Sequence, residues 1–156
     1  MADPITFAEP RTIPQMLMNR AAELGPRTAM RVKELGLWRD ISWAEYGRRA
    51  GLAALGLMAL GLLPGDTVAV IGENCPEWLI ADMGAMAAGG VTVGIYTTNA
   101  AVEVQYILHH SEAKIFVVEN EEQLDKALQV RDQCPHLAKI VVIDTKDVDM
   151  PDPMLM

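Results

Sequence analysis

The first third of the chain shows helical and strand-like spacing of hydrophobic residues in turn. Residues 12–24 repeat apolar positions at helical intervals, with a proline in the first turn and Gly-Pro directly afterwards. Residues 28–33 and 37–41 have the length and composition of two short strands around a turn at 34–36. These patterns predict a helix followed by a small β-hairpin.

A long helix is predicted next, over residues 43–62. Ser42 and Glu45 have the spacing of a capping box, in which the hydroxyl accepts from the Glu45 N–H and the carboxylate reaches back to the Ser42 N–H. Beyond Ala50 the segment is apolar on every side, so we expect this helix to be buried on more than one side. Its apolar stripe contains Trp43, Tyr46, Ala50, Ala53, Ala54 and Leu57.

Strand and helix patterns alternate regularly from residue 67 onward. Short apolar runs begin at residues 67, 91, 115 and 139, a constant step of 24 residues. Helical patterns lie between them at 76–88, at 100–110 and after Asn120, and Asn74 and Asn120 are predicted to cap two of these helices. The prediction is an α/β fold with a mostly parallel sheet of repeated βα units and helices on both faces.

Charge and hydropathy exclude several classes of protein. The net charge is -8, and the sequence has no cluster of lysine and arginine that could neutralise nucleic-acid phosphates. The first residues have neither the basic nor the apolar region of a secretory signal, so we expect a cytoplasmic protein. The apolar run 79–98 has the length of a membrane helix, but Asp82 and four glycines interrupt it. We therefore predict a buried helix and a buried strand there.

Polar residues follow each predicted strand, at the edge where an open α/β sheet binds ligands. They lie at 72–74, 96–99, 119–120 and 144–145. The glycines at 89, 90 and 94 precede a strand or lie within it, whereas a dinucleotide-binding fingerprint follows a strand and opens a helix. A phosphate-binding P-loop sequence is also missing. The residues alone therefore predict no catalytic centre.

Histidines and cysteines form no pattern of a metal site or a disulfide framework. His109 and His110 are neighbours on a predicted helix, so their side chains point about 100° apart and we expect a solvated helix end. Cys134 and His136 are a single pair without further ligands nearby, and Cys75 is distant in sequence. We predict neither a metal site nor a reactive thiolate.

The middle of the chain resembles a known enzyme family. Residues 64–82 read PGDTVAVIGENCPEWLIAD, which resembles the PGDxVAI…ENxPEW…AD pattern of adenylate-forming acyl-CoA synthetases. The other matching segments are ISWAEY at 41–46, AAGGV at 87–91, GIYTT at 94–98, QYIL at 105–108 and SEAK at 111–114. The GIYTT segment and the helix at 119–126 are most similar to the long-chain fatty-acyl-CoA synthetases.

The resemblance implies the first part of the large domain of such an enzyme over residues 12–144, with a tail at 1–11 and a linker at 145–156. Family members use ATP and Mg²⁺ to convert a fatty acid into an acyl-adenylate, release pyrophosphate, and transfer the acyl group to CoA. Their phosphate loop with its lysine, their Tyr-Gly-x-Thr-Glu segment, their ribose-binding aspartate and their carboxyl-terminal catalytic lysine have no counterpart here. The implied fragment has no catalytic residue and is not expected to bind ATP, Mg²⁺ or CoA strongly.

Tyr96 and Thr97 are the residues that the resemblance suggests for the wall of an acyl or CoA channel; ordinary packing is the alternative role. The apolar helices at 43–62 and 76–88 predict self-association through exposed apolar surface, or marginal stability. Peripheral contact with a membrane is a further expectation. The alternative function is a free-standing α/β binding or regulatory module without catalysis.

Overall fold

The predicted order of helices and strands is present in the computed structural model, which describes residues 12–146, Val148, Met154 and Met156. The elements are α1 (Ile13–Leu24), β1 (Thr28–Glu34), β2 (Leu37–Ser42), α2 (Trp43–Ala59), β3 (Thr67–Ile71), α3 (Pro76–Ala87), β4 (Val91–Ile95), α4 (Ala101–His110), β5 (Ala113–Val118), α5 (Glu121–Val130) and β6 (Lys139–Val142). A short 3-10 turn, Arg131–Gln133, follows α5. This confirms the α/β fold preceded by a helix, a hairpin and a long helix.

The antiparallel hairpin of β1 and β2 closes through a two-residue turn. Glu34 pairs with Leu37 across the hairpin, and Leu35 and Gly36 have positive φ angles of 47° and 83°. Positive φ at both central residues is typical of a type I′ turn, whose twist matches that of the flanking strands. Glycine adopts this conformation freely, whereas leucine does so at an energetic cost.

The remaining strands form one parallel sheet in the order β4-β3-β5-β6. Successive residues of each strand face opposite sides of the sheet. Val68 and Val70 pack with α2 and α3, whereas Ala69 and Ile71 pack with α4 and α5. Helices therefore cover both faces of the sheet, which explains why its strands are continuous apolar runs.

Helix α2 is buried on several sides because it contacts the sheet, α3 and α1. Gly84 of α3 lies so close to α2 that an added Cβ atom would be 2.7 Å from the Cβ of Ala53. On another side of α2, Tyr46 packs in a cluster with Leu17 of α1 and Ile80 of α3. The predicted burial is confirmed, although one side of α2 exposes Leu52, Leu55 and Met58.

The apolar run 79–98 is divided between α3 and β4, as predicted. The prediction that the strand is buried is wrong, because β4 is the edge strand of the sheet, where Val91 is 53% exposed and Ile95 is the one residue of β4 that is buried. Among the residues that the structure describes, no helix is long and apolar enough to cross a membrane.

Two helices after the hairpin begin with the predicted side-chain caps. The Asn120 Oδ1 atom accepts from the Gln123 N–H at 3.2 Å, at the start of α5. The Ser42 hydroxyl accepts from the Glu45 N–H at 3.1 Å, at the start of α2. The second half of that capping box differs from the prediction, because the Glu45 carboxylate accepts from the Arg48 guanidinium instead of reaching back.

The predicted cap at Asn74 is wrong. Helix α3 begins at Pro76, and Cys75 occupies the capping position without a side-chain hydrogen bond to the helix. Proline favours the first helical position because its ring fixes φ and it has no N–H to leave unpaired. The helix therefore starts at Pro76, in agreement with its predicted range 76–88, but its capping residue is Cys75 and Asn74 lies outside it.

The backbone of Met154 and Met156 lies beside β6. The Ile140 N–H donates to the Met154 carbonyl at 2.8 Å, and the Met156 N–H donates to the Ile140 carbonyl at 3.0 Å. The described residues of the segment predicted as a linker, 145–156, therefore include two that pair with the sheet. The tail predicted at 1–11 lies outside the described residues, as do positions 147, 149–153 and 155.

Candidate functional site

The carboxyl ends of the four parallel strands form one edge of the sheet, here called the carboxyl edge. The strand order places Tyr96 and Thr97 at one end, then Glu73, then Glu119, and Asp144 at the far end. These residues belong to the polar groups that the sequence places after the strands, and the topology brings them into one row. The carboxyl edge is therefore the candidate site.

Hydrogen bonds connect three of these strand ends. The Glu119 carboxylate accepts from the Glu73 N–H at 2.7 Å, and the Thr97 hydroxyl donates to the Glu73 carboxylate at 2.8 Å. From α5, the Lys126 ammonium donates to the Thr97 carbonyl at 2.6 Å and to the Gln123 side chain at 3.1 Å. Thr97 is thus held on its side chain and on its backbone, so its position on the edge is well defined.

Tyr96 stands beside a small cleft and is itself 81% exposed. The cleft has a volume of about 250 Å³, and its wall is formed by Gly72, Asn74, Trp78, Gly94, Ile95 and Tyr96. A Cβ atom on Gly94 would lie 3.3 Å from Cζ2 of Trp78, and one on Gly72 would lie 3.6 Å from Cδ1 of Trp78. Gly94 therefore leaves room for the indole, whereas the close neighbour of Gly72 is the Glu119 side chain, whose Cβ atom would lie 3.1 Å from an added Cβ.

The three histidines are exposed, whereas the two cysteines are buried or half-buried. His109 and His110 are exposed at the end of α4, and the His110 ring stacks on Tyr106 with centroids 5.6 Å apart. Cys134 is buried, with its Sγ atom 3.9 Å from the Gln105 carbonyl oxygen. His136 is exposed and Cys75 is half-buried. Burial raises the pKa of both thiols, which disfavours a reactive thiolate.

A second concavity is apolar and lies on the opposite side from α4 and α5. This apolar groove, about 570 Å³ in volume, is bounded by α2, α3, the buried Val117 of β5, and the half-buried Val141 and Ile143 at β6. It is lined by Ala53, Gly56, Leu57, Ala59, Leu60, Glu77, Ile80, Ala81, Val117, Val141, Ile143 and Met156. Helices α2 and α3 cover β3 on this face but leave the part towards β6 open. A shallow depression of about 640 Å³ beside Arg31, Trp38 and Asp40 lies on the hairpin.

Comparison with known protein families assigns the chain. Residues 17–155 match the AMP-binding enzyme family. The chain belongs to this family. The match spans nearly all described residues, including the carboxyl edge and the apolar groove.

Curated relatives of this AMP-binding family member are long-chain-fatty-acid–CoA ligases. The chain is 43% identical over 132 residues to ACSBG2 from Xenopus laevis, an alignment that covers 85% of the chain and 18% of that protein. It is 39% identical over 140 residues to ACSBG1 from Bos taurus, covering 90% of the chain and 19% of the relative. The chain therefore spans less than one fifth of the length of these relatives, and corresponds to an amino-terminal portion of them.

Solved structures show the same fold. Acetoacetyl-CoA synthetase from Streptomyces lividans superposes with a TM-score of 0.81 at 22% identity, covering 92% of this chain and 23% of that one. A fatty acyl CoA synthetase from Mycobacterium tuberculosis gives 0.75 at 28% identity, covering 86% and 27%. The four-stranded parallel sheet and the hairpin are thus those of the amino-terminal domain of adenylate-forming enzymes.

The carboxyl edge does not fit ATP, which the AMP-binding family uses, or the Mg²⁺ that the sequence resemblance implies. Glu73, Glu119 and Asp144 would place negative charge beside a triphosphate. The nearby cation, Lys126, donates to the Thr97 carbonyl and lies 3.5 Å from the Glu122 carboxylate. Within the described part of the chain, no three acidic, histidine or cysteine residues are grouped so as to hold a metal ion. The edge as described therefore offers neither the cations nor the metal ligands that a nucleotide would require.

Sequence reasoning identified the edge but missed Glu119 and Lys126 as the groups that organise it. Glu73 and Glu119 are 46 positions apart, and Thr97 and Lys126 are 29 apart. The glycines that flank Trp78 were recognisable as strand-end glycines, but only the strand order shows that both face the same indole.

Proposed function

We propose that the chain forms the amino-terminal part of the large domain of a long-chain fatty-acid–CoA ligase and supplies scaffold, not catalytic groups. The observation that supports this most is the combination of 43% identity to a ligase with coverage of only 18% of its length. In such a ligase ATP and a fatty acid form an acyl-adenylate and pyrophosphate, and CoA then takes the acyl group with release of AMP. The groups that bind ATP and Mg²⁺ would come from polypeptide outside these residues.

The carboxyl edge is proposed as part of the wall of an acyl or CoA channel. The Tyr96 side chain is exposed there and makes no hydrogen bond within the described part of the chain that would explain it as a structural residue. Thr97 is fixed by Glu73 and Lys126, so it presents a defined surface. The cleft beside Trp78 has neutral walls, which suits an acyl or pantetheine chain better than a phosphate group.

The test is a chimera in which this chain replaces the homologous 132-residue stretch of the Xenopus laevis ligase. Pyrophosphate release and acyl-CoA formation are measured with a long-chain fatty acid, ATP, Mg²⁺ and CoA. We expect the chimera to form acyl-CoA and the isolated chain to form none. Acyl-CoA produced by the isolated chain, or a folded chimera without activity, would contradict the scaffold role.

The channel assignment is tested within the active chimera. Tyr96→Ala should raise KM for the long-chain fatty acid or for CoA. The rate of ATP–pyrophosphate exchange with a short-chain acid should change little. Tyr106→Ala is the matched control, because Tyr106 is an exposed tyrosine on α4 and away from the carboxyl edge. Equal effects of the two substitutions would show that Tyr96 does not line a channel.

The alternative, a free-standing binding or regulatory module, makes a different prediction for the isolated chain. Such a module would bind a fatty acid or CoA on its own, with saturable heat in calorimetric titration. The scaffold role predicts no saturable binding of either ligand by the isolated chain.

A further inference from the structure

The tip of the β1–β2 hairpin carries three large apolar side chains in four residues. Leu35 is fully exposed, Leu37 is 72% exposed and Trp38 is 66% exposed. Leu37 and Trp38 are consecutive in a strand, so their side chains lie on opposite faces of the hairpin. The tip, defined here as 35–38, is therefore apolar on both faces and at its end.

Leu35 occupies a turn position that does not favour leucine, so the stability of the fold does not explain why an exposed leucine is present there. A type I′ turn favours Asn, Asp or Gly at the position of Leu35, because φ is positive there. Leu35 adopts a φ of 47°, a conformation that costs a non-glycine residue free energy. An exposed leucine in a strained turn position contributes nothing to the core of the described fold, so an external contact is the better explanation.

Charges next to the tip indicate the chemistry of that contact. Residues 27–40 contain four cationic side chains (27, 31, 33 and 39) and two acidic ones (34 and 40), a net positive segment in a chain of net charge -8. Lys33 lies over the Trp38 ring, with its Nζ atom 5.9 Å from the centroid. Arg31 and Arg39 pair with Asp40 and Glu34, each at 2.8 Å, which holds both guanidinium groups against the hairpin.

We propose that this tip inserts into the surface of a membrane that contains anionic lipids. Leu35 and Leu37 would enter the boundary between headgroups and acyl chains, where tryptophan is favoured because its ring is apolar and its N–H is polar. Lys33 would face the lipid phosphates, while the ion pairs of Arg31 and Arg39 keep the two carboxylates of the hairpin neutralised and the acidic remainder of the chain stays away from the surface. The contact is independent of any catalytic role of the chain.

The first experiment measures cosedimentation of the 156-residue chain with vesicles of phosphatidylcholine and with vesicles in which about one third is phosphatidylglycerol. Binding is expected on the anionic vesicles and should weaken with added salt. Leu35→Asn should lower the partition coefficient about fivefold or more, because one inserted leucine is lost. Asparagine suits the turn, so this variant should fold at least as well as the original chain.

Two matched variants separate tip insertion from general stickiness. Leu55→Gln removes a leucine that is 63% exposed on α2 and should change vesicle binding less than about twofold. Lys33→Gln should lower binding about fivefold on anionic vesicles and leave binding to neutral ones unchanged. Brominated lipids should quench tryptophan emission, and Trp38→Phe should remove most of that quenching.

Several results would overturn the proposal. One is that the unaltered chain binds no vesicles, and another is that Leu35→Asn and Leu55→Gln lower vesicle binding equally. A third is that brominated lipids quench the tryptophan emission of Trp38→Phe as strongly as that of the original chain. If Leu35→Asn instead converts a dimer into a monomer in sedimentation velocity and leaves vesicle binding unchanged, the tip is a protein interface and the lipid assignment is wrong.

Discussion

Substituting Gly84 by alanine adds one methyl group at the closest approach of α3 to α2. The new Cβ atom would lie 2.7 Å from the Ala53 Cβ, 3.1 Å from the Ala54 backbone nitrogen and 3.2 Å from the Ala53 carbonyl carbon. Favourable contacts between carbon atoms occur at about 3.5–4.0 Å. Two of these three neighbours are backbone atoms, which no rotamer change can move, so the two helices must separate.

Two opposing effects set the size of the expected change in the free energy of unfolding. Overpacking in a close-packed interior costs about 1–3 kcal/mol. Alanine in place of glycine in a helix gains about 1 kcal/mol. Because backbone atoms block the methyl group at Gly84, we expect the upper part of the overpacking range and a net destabilisation of about 1–2 kcal/mol. The strain should also loosen the cluster that α2 and α3 form over β3.

Gly56→Ala is the matched control, since Gly56 lies in α2 with nothing within 4 Å of an added Cβ atom. Here the helix propensity acts alone and should stabilise the chain by up to about 1 kcal/mol. Urea unfolding followed by far-UV circular dichroism measures both variants. Thermal melting should agree, at about 2–4 °C for each kcal/mol in a domain of this size. If Gly84→Ala is as stable as the original chain while Gly56→Ala is stabilised, α2 and α3 are not packed as closely as described.

Three further predictions concern groups outside that interface. The Lys114 ammonium, 2.7 Å from Asp66, holds the pKa of that carboxyl below its usual value, so the ion pair stabilises the fold at neutral pH and ceases to do so as the pH falls below about 4. Urea unfolding of Asp66→Asn at several pH values should therefore show a smaller loss of stability in acid than the original chain shows. An equal loss in both proteins would exclude the ion pair as a cause. Burial raises the pKa of Cys75 and Cys134, so a thiol reagent at pH 7 should modify half-buried Cys75 slowly and buried Cys134 only after unfolding. Rapid modification of both cysteines in the folded chain would contradict the described burial. Asn120→Ala should cost about 1 kcal/mol in urea unfolding through loss of the α5 cap, and an unchanged midpoint would show that the cap contributes little.

The hydrophobic pattern predicted the βα units because their strands are buried on both faces and their helices separate them at constant intervals. It placed the cap of α3 incorrectly, at Asn74, because Asn74 and Glu77 have capping-box spacing. Proline constrains the backbone of the first helical turn directly, whereas a capping side chain adds a single hydrogen bond. The predicted range 76–88 already begins at this proline, so only the identity of the capping residue was wrong.

The contacts of the carboxyl edge could not be predicted in the same way. Which strand ends are neighbours depends on the order β4-β3-β5-β6, in which β3 pairs with both β4 and β5. That order places Glu73 within reach of both Thr97 and Glu119. Periodicity within one element contains no information about the order of strands, so the contacts of Glu119 and Lys126 emerge only from the assembled sheet.

The apolar groove and the carboxyl edge together favour a scaffold over an independent catalyst. On one face of the sheet, α2 and α3 cover β3 but leave Val117, Val141 and Ile143 at the floor of the groove. Additional polypeptide packed there would bury this surface and gain about 25 cal/mol for each Å² of apolar area removed from water. The carboxyl edge, in turn, has carboxylates where a nucleotide would require cations. The described residues leave part of the sheet uncovered and offer no site for ATP. If the rest of a ligase packs against the apolar groove, the same polypeptide covers this surface and supplies the groups that bind ATP.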